Sequence, residues 1–129
     1  MKDFKNTYII PATPGEVFIA LTNPFTIELW SGYPAKMSTE PGSEFSLWDG
    51  DISGKNIEII ENEKLIQEWF FGDLEKPSIV KIVLSEHKKG TQVELNHTNI
   101  PDSDYKNITM GWNEYYFYAL IEYFTDDGD

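Results

Sequence analysis

Ser78-Ile79-Val80-Lys81-Ile82-Val83-Leu84-Ser85-Glu86 and Thr91-Gln92-Val93-Glu94-Leu95-Asn96-His97-Thr98-Asn99 are two period-two segments joined across Lys88-Lys89-Gly90. The turn leaves no room for a crossover helix, so the two segments pair as an antiparallel hairpin. Val80, Ile82 and Leu84 share one face, with Lys81 and Ser85 on the other. Val93, Leu95 and His97 share a face opposed by Gln92, Glu94, Asn96 and Thr98. One side of this sheet therefore faces a core, and His97 lies on that side.

Working back along the chain, the same period covers Lys64–Gly72, Ser53–Ile60, Glu44–Asp49 and Ala35–Thr39. Turn residues at Glu75-Lys76-Pro77, Glu61-Asn62-Glu63, Asp49-Gly50-Asp51 and Pro41-Gly42 separate them. In Lys64–Gly72 both parities carry large apolar groups. The face of Leu65, Gln67 and Trp69 is taken as inner, because Glu68 on the other parity would be costly to bury unpaired. Phe4–Ile10 reads as a further strand, ended by Pro11.

Two short helices sit between the first strand and the meander. Thr13-Pro14-Gly15-Glu16 has the parts of a capping box, with proline at the first helical position. Asn23-Pro24 repeats the cap-then-proline device ahead of Phe25–Trp30. After Pro101-Asp102-Ser103-Asp104 the period becomes helical: Met110, Trp112, Tyr116, Ala119, Leu120, Tyr123 and Phe124 form the apolar stripe of one long helix. Asp126–Asp129 ends it as an acidic tail. The reading is a single α+β domain over 1–125: one curved antiparallel sheet, two short helices, and a long C-terminal helix covering the sheet.

Composition narrows the functional classes. Ten basic against 22 acidic residues give a formal net charge of −12, which argues against nucleic-acid and membrane-surface partners. With no cysteine, disulfides, thiolate catalysis and thiolate metal sites are excluded. His87 and His97 lack metal-ligand spacing, and no P-loop, dinucleotide fingerprint or Gly-x-Ser-x-Gly elbow occurs, so no metal, cofactor or nucleotide is expected. Asp49 and Asp51 flank Gly50 as a hairpin turn rather than as paired catalytic carboxylates. No stretch approaches a bilayer span and no leader is evident, which points to the cytoplasm.

Several stretches carry a family resemblance. They are Pro11–Phe18, Ala20-Leu21-Thr22-Asn23-Pro24 leading to Trp30, Pro41–Phe45, Gly54, Leu65–Trp69, Gly90-Thr91 with His97, and Gly111-Trp112. In this order they resemble the START-like (SRPBCC, birch-pollen-allergen-like) superfamily, and within it the family named after the activator of heat-shock-protein-90 ATPase. One departure is Ser43, where the family commonly has a second glycine after Pro41-Gly42. The resemblance implies a helix-grip fold with an apolar cavity between helix and sheet. It also implies a role among ligand binders, cyclases and co-chaperone modules.

The candidate ligand-binding residues follow. Trp30, Phe45, Trp69, Trp112 and Tyr116 are aromatics placed to converge between helix and sheet; pocket wall and core filler are both ordinary roles for them. Leu47, Ile82 and Leu95 add apolar lining, and Tyr33 would either gate the pocket mouth or cap the edge of the core. Gln67 would either offer an amide inside the pocket or stand at its rim as a polar residue satisfied by water. His97 would either satisfy a backbone carbonyl or tyrosine hydroxyl, or orient a ligand and act as an acid or base, although no carboxylate is placed to assist it. Three functions remain open: a binding protein for a small hydrophobic or aromatic ligand, a co-chaperone-like module with a chaperone or other protein partner, and an enzyme acting on a polyketide-like or aromatic substrate.

Overall fold

A computed structural model describes residues 1–72 and 76–125. Asp126–Asp129 and part of the turn at Glu75-Lys76-Pro77 lie outside the described residues. Six strands form one antiparallel sheet: β1 (Lys2–Ile10), β2 (Glu44–Leu47), β3 (Ile52–Ile60), β4 (Lys64–Trp69), β5 (Ser78–His87) and β6 (Gly90–Ile100). Their spatial order is β1-β6-β5-β4-β3-β2, so the first strand pairs with the last and every other neighbour is consecutive in the chain. Val80 and Ile82 of β5 and Val93 and Leu95 of β6 are fully buried, while Lys81 and Glu94 are exposed, in the parity the alternation dictates. In β4, Leu65, Gln67 and Trp69 point inward.

Helices α1 (Pro14–Thr22) and α2 (Pro24–Ser31) form the corner after β1. Thr13 accepts from the Glu16 amide at 3.2 Å, and the Glu16 carboxylate accepts from the Thr13 amide at 2.9 Å. These bonds hold the Glu16 carboxyl below the usual carboxylate range. Replacing Thr13 by alanine is expected to cost about 1 kcal/mol in chemical denaturation. Asn23 both ends α1 and caps α2, accepting from the amides of Phe25 and Thr26. The Trp30 indole N–H donates to the Ala20 carbonyl at 2.8 Å and ties the two helices together.

Three expected elements come out differently. Ala35–Thr39 is not a strand: Lys36 makes one isolated bridge to Ser46, Met37 turns into the core, and the Asn56 side-chain amide donates to the Ser38 carbonyl. A side-chain clamp holds this segment in place of a ladder. The Glu44–Asp49 strand stops at Leu47, because Trp48 and Asp49 adopt positive φ (49° and 54°) and begin the turn early. Likewise Lys64–Gly72 leaves the sheet after Trp69.

The C-terminal helix is continuous but not uniform. It runs as α3 (Tyr105–Met110), a π-helical segment (Gly111–Phe117) and α4 (Tyr118–Thr125). The Tyr118 amide donates to the Asn113 carbonyl five residues back. This wider winding shifts the buried face to Trp112, Tyr116, Phe117 and Leu120, leaving Met110 and Tyr123 at the surface. Three contacts pin the π segment to β1: Tyr8 stacks on Phe117 at 4.2 Å, and the Asn113 side-chain carbonyl accepts from the Tyr8 hydroxyl at 2.6 Å and from Asn6 Nδ2 at 3.0 Å. Among the described residues, no helix is long and apolar enough to cross a membrane.

Candidate functional site

Helix and sheet do not enclose a sealed chamber. Their gap is packed at one end and opens at the other into a cleft of about 450 Å³. The sheet side supplies Trp48, Asp51, Ile52 and Trp69; the last residue of α2, Ser31, and Tyr33 just beyond its cap line the mouth. The helix side supplies Asn107, Ile108, Gly111, Trp112, Glu114, Tyr115, Tyr116 and Ala119. Six of these walls are aromatic. Trp69 stacks on Trp112 with centroids 4.7 Å apart and planes 26° apart, and Tyr116 leans on Trp112, Trp30 and Trp48 at 4.7, 5.0 and 5.8 Å.

Of the residues singled out from the sequence, the structure brings Tyr33, Trp69, Trp112 and Tyr116 to the cleft. Trp30 sits one layer behind, edge-on to Trp48. Phe45, Leu47, Ile82 and Leu95 pack in the core away from the opening. They face inward as their parity requires, but neighbouring side chains fill the space in front of them. Trp48, Asp51, Gly111, Glu114 and Tyr115 were not singled out. Trp48 was hidden by its position at the end of an apparent strand; the adjacent Asp49-Gly50-Asp51 turn was the available signal.

The two polar candidates are structural partners of the aromatic walls. The Trp69 indole N–H donates to Gln67 Oε1 at 3.0 Å, and Gln67 Nε2 donates to Asn56 Oδ1 at 2.9 Å. Asn56 Nδ2 passes the chain on to Ser43 Oγ at 3.1 Å, so the serine at the departure from the family pattern is used. His97 is fully buried. Trp112 Nε1 lies 3.0 Å from His97 Nδ1, and Ser78 Oγ lies 2.8 Å from Nε2. An indole N–H only donates, so Nδ1 is the acceptor and the proton of the neutral ring sits on Nε2, donating to Ser78. Ser78 in turn donates to the Thr98 carbonyl at 3.2 Å. Both nitrogens are thus committed, neither to the backbone carbonyl or tyrosine hydroxyl expected, and His97 lies outside the cleft lining.

Burial pushes the His97 imidazole down to about 4, against a smaller opposing pull from the Asp3 carboxylate. The unfolded chain takes up this proton below about pH 6.5 while the folded protein refuses it until about pH 4. The histidine's contribution to stability is therefore complete above pH 6.5 and lost as pH falls through that window, to a total of about 3 kcal/mol. Urea unfolding across this range should show that loss in the wild type and not in His97→Gln, which retains one donor and one acceptor. Parallel pH dependence in both would refute it.

Burial also pushes the Tyr116 phenol above its ordinary range. Tyr116 is 3% exposed, yet its hydroxyl makes no hydrogen bond among the described residues and is not sealed from solvent. Tyr116 is one of the residues that line the cleft.

Comparison with known proteins places this architecture. Residues 11–125 match the family model described as Activator of Hsp90 ATPase homolog 1-like protein. The human activator of 90 kDa heat shock protein ATPase homolog 1 is 23% identical over 122 residues, covering 93% of this chain and 36% of the human protein. The chain thus spans about a third of the length of the human and mouse activators it matches. A solved protein from Mesorhizobium loti superposes with a TM-score of 0.83 at 21% identity, covering 99% of both chains. An HSP90 activator from Plasmodium falciparum superposes at 0.80 with 28% identity, covering 92% of both. The matched residues run from the first helix cap to the end of the C-terminal helix, and the chain belongs to the family of Activator of Hsp90 ATPase homolog 1-like proteins.

Proposed function

We propose that this protein binds a small hydrophobic or aromatic ligand in the cleft between the C-terminal helix and the Trp48–Ile52 turn. The observation that carries the proposal is the open, six-aromatic lining, whose volume suits a small molecule. Gly111 supports it. Its backbone is right-handed helical, and a Cβ there would meet no atom within 4 Å. The missing side chain leaves room beside Trp112 at a position where glycine weakens a helix. Gly111→Leu should therefore hold or raise the melting temperature while weakening a neutral probe such as α-naphthalenemethanol about tenfold, read by calorimetry and tryptophan quenching. Undiminished affinity in Gly111→Leu would remove the cleft as the site.

A second reading is a co-chaperone-like module with a chaperone as partner. It draws on the family and on the likeness to an HSP90 activator. The α1–α2 corner offers a surface for it: Ile19, Phe25 and Leu29 are 53%, 79% and 70% exposed. Phe25→Asp with Leu29→Asp should abolish co-purification with an Hsp90 chaperone if this surface makes the contact. Capture by the wild type and the double variant alike would discard the surface.

A further inference from the structure

We infer that the cleft selects a cation: an alkylammonium group carried on an aromatic or apolar body. The inference rests on the reading of the cleft as a ligand site and specifies the ligand's charge. Among the fourteen described residues that line the cleft, Asp51 and Glu114 are the only carboxylates, and there is no lysine, arginine or histidine. They come from opposite walls, one from the turn before β3 and the other from the π segment. Neither is engaged in an ion pair among the described residues.

The aromatic walls have the same preference. The face of a tryptophan or tyrosine ring is the negative pole of its quadrupole, so a cation held against several rings is attracted by each. An anion in the same place would meet two carboxylates and the negative faces of the rings, with no lysine, arginine or histidine lining the cleft to offset them.

The Tyr116 hydroxyl adds a directional group. Tyr116 is more than nine-tenths buried and lines the cleft, and its hydroxyl has no hydrogen-bond partner among the described residues. It stays protonated and neutral through the physiological range, which makes it a hydrogen-bond partner rather than a second charge. Its oxygen can accept the N–H of a protonated amine whose alkyl groups lie against the rings. Trp48 belongs to this arrangement through its backbone: positive φ at Trp48 and Asp49 turns the chain out of β2, which brings the indole and Asp51 to one wall.

Three probes that share a naphthylmethyl body and differ in charge test the inference: α-naphthylmethylammonium, neutral α-naphthalenemethanol and anionic α-naphthylacetate, titrated into the whole chain at low and high salt. The cation should bind about tenfold more tightly than the neutral probe and the anion most weakly, with salt eroding only the cation's advantage. Asp51→Asn with Glu114→Gln should bring the cation down to the neutral probe. The control, Glu86→Gln with Glu94→Gln, removes two exposed charges that do not line the cleft and should leave the preference in place. Equal affinity for cation and neutral probe would overturn the charge assignment while leaving the cleft as a binding site. Equal loss in the two double variants would overturn it in favour of the general field of an acidic protein. Failure of every probe to bind would overturn both the assignment and the ligand-binding reading.

Discussion

Gly54→Ala is expected to destabilise the fold by about 4 kcal/mol, a large share of the stability of a small domain. Gly54 lies in β3 between Phe45 of β2 and Trp69 of β4. A Cβ there would fall on the Glu68 carbonyl oxygen and within 2.8 Å of two carbons of the Phe45 ring. The glycine is not in the left-handed region, so conformation is not the obstacle; space is. A flexible side chain could swing aside, but the Glu68 carbonyl belongs to the β3–β4 ladder and cannot move without parting the strands. Adding Phe45→Leu should recover only the smaller part of the loss, because it relieves the ring contact and leaves the carbonyl. Equilibrium unfolding in urea checks both. A loss below about 1 kcal/mol for Gly54→Ala would show that the sheet adjusts freely here.

Trp112→Ala should cost about 5 kcal/mol. The side chain is 2% exposed and packs against Trp69, Tyr116 and Phe117, so its removal opens a large void behind the cleft. The truncation also strips His97 Nδ1 of its donor, leaving a buried acceptor unpaired. Trp112→Phe separates the two effects. It keeps an aromatic ring against Trp69 and loses the indole N–H, for a cost of about 2 kcal/mol. In that variant the His97 pKa should also rise, because the hydrogen bond that favoured the neutral ring is gone. Imidazole resonances followed against pH read this directly. If Trp112→Phe leaves both stability and the titration unchanged, the indole–imidazole bond contributes nothing.

These two residues mark the division between local and tertiary information. The parities of β5 and β6 were legible because one face is packed and the other wet, so burial repeats with the pleat. The inward turn of Gln67 and Trp69 followed from the cost of burying Glu68 instead. The capping box at Thr13–Glu16 and the cap of the second helix at Asn23 were equally plain, since each is made within four residues of chain. Where strand signals failed, the cause was a competing contact from elsewhere. Ala35–Thr39 alternates well enough to pair, but Asn56, nineteen residues from Met37, clamps it by a side-chain amide instead.

The long C-terminal helix itself was determined by the local period, but its π winding was not. The π segment meets β1 through Tyr8 and Asn113, 105 residues apart in the chain, and its winding changes which side chains face the sheet. The same holds for the cleft. Large aromatics on an inner face are equally suited to filling a core or walling a pocket, and the sequence determined only that they point inward. Whether space remains in front of them is a difference between the volume enclosed by the backbone and the volume of the side chains within it. Only the tertiary structure decides that difference: it packs Ile82, Leu95 and His97 into the interior and leaves Trp48, Trp69, Trp112 and Tyr116 beside open space.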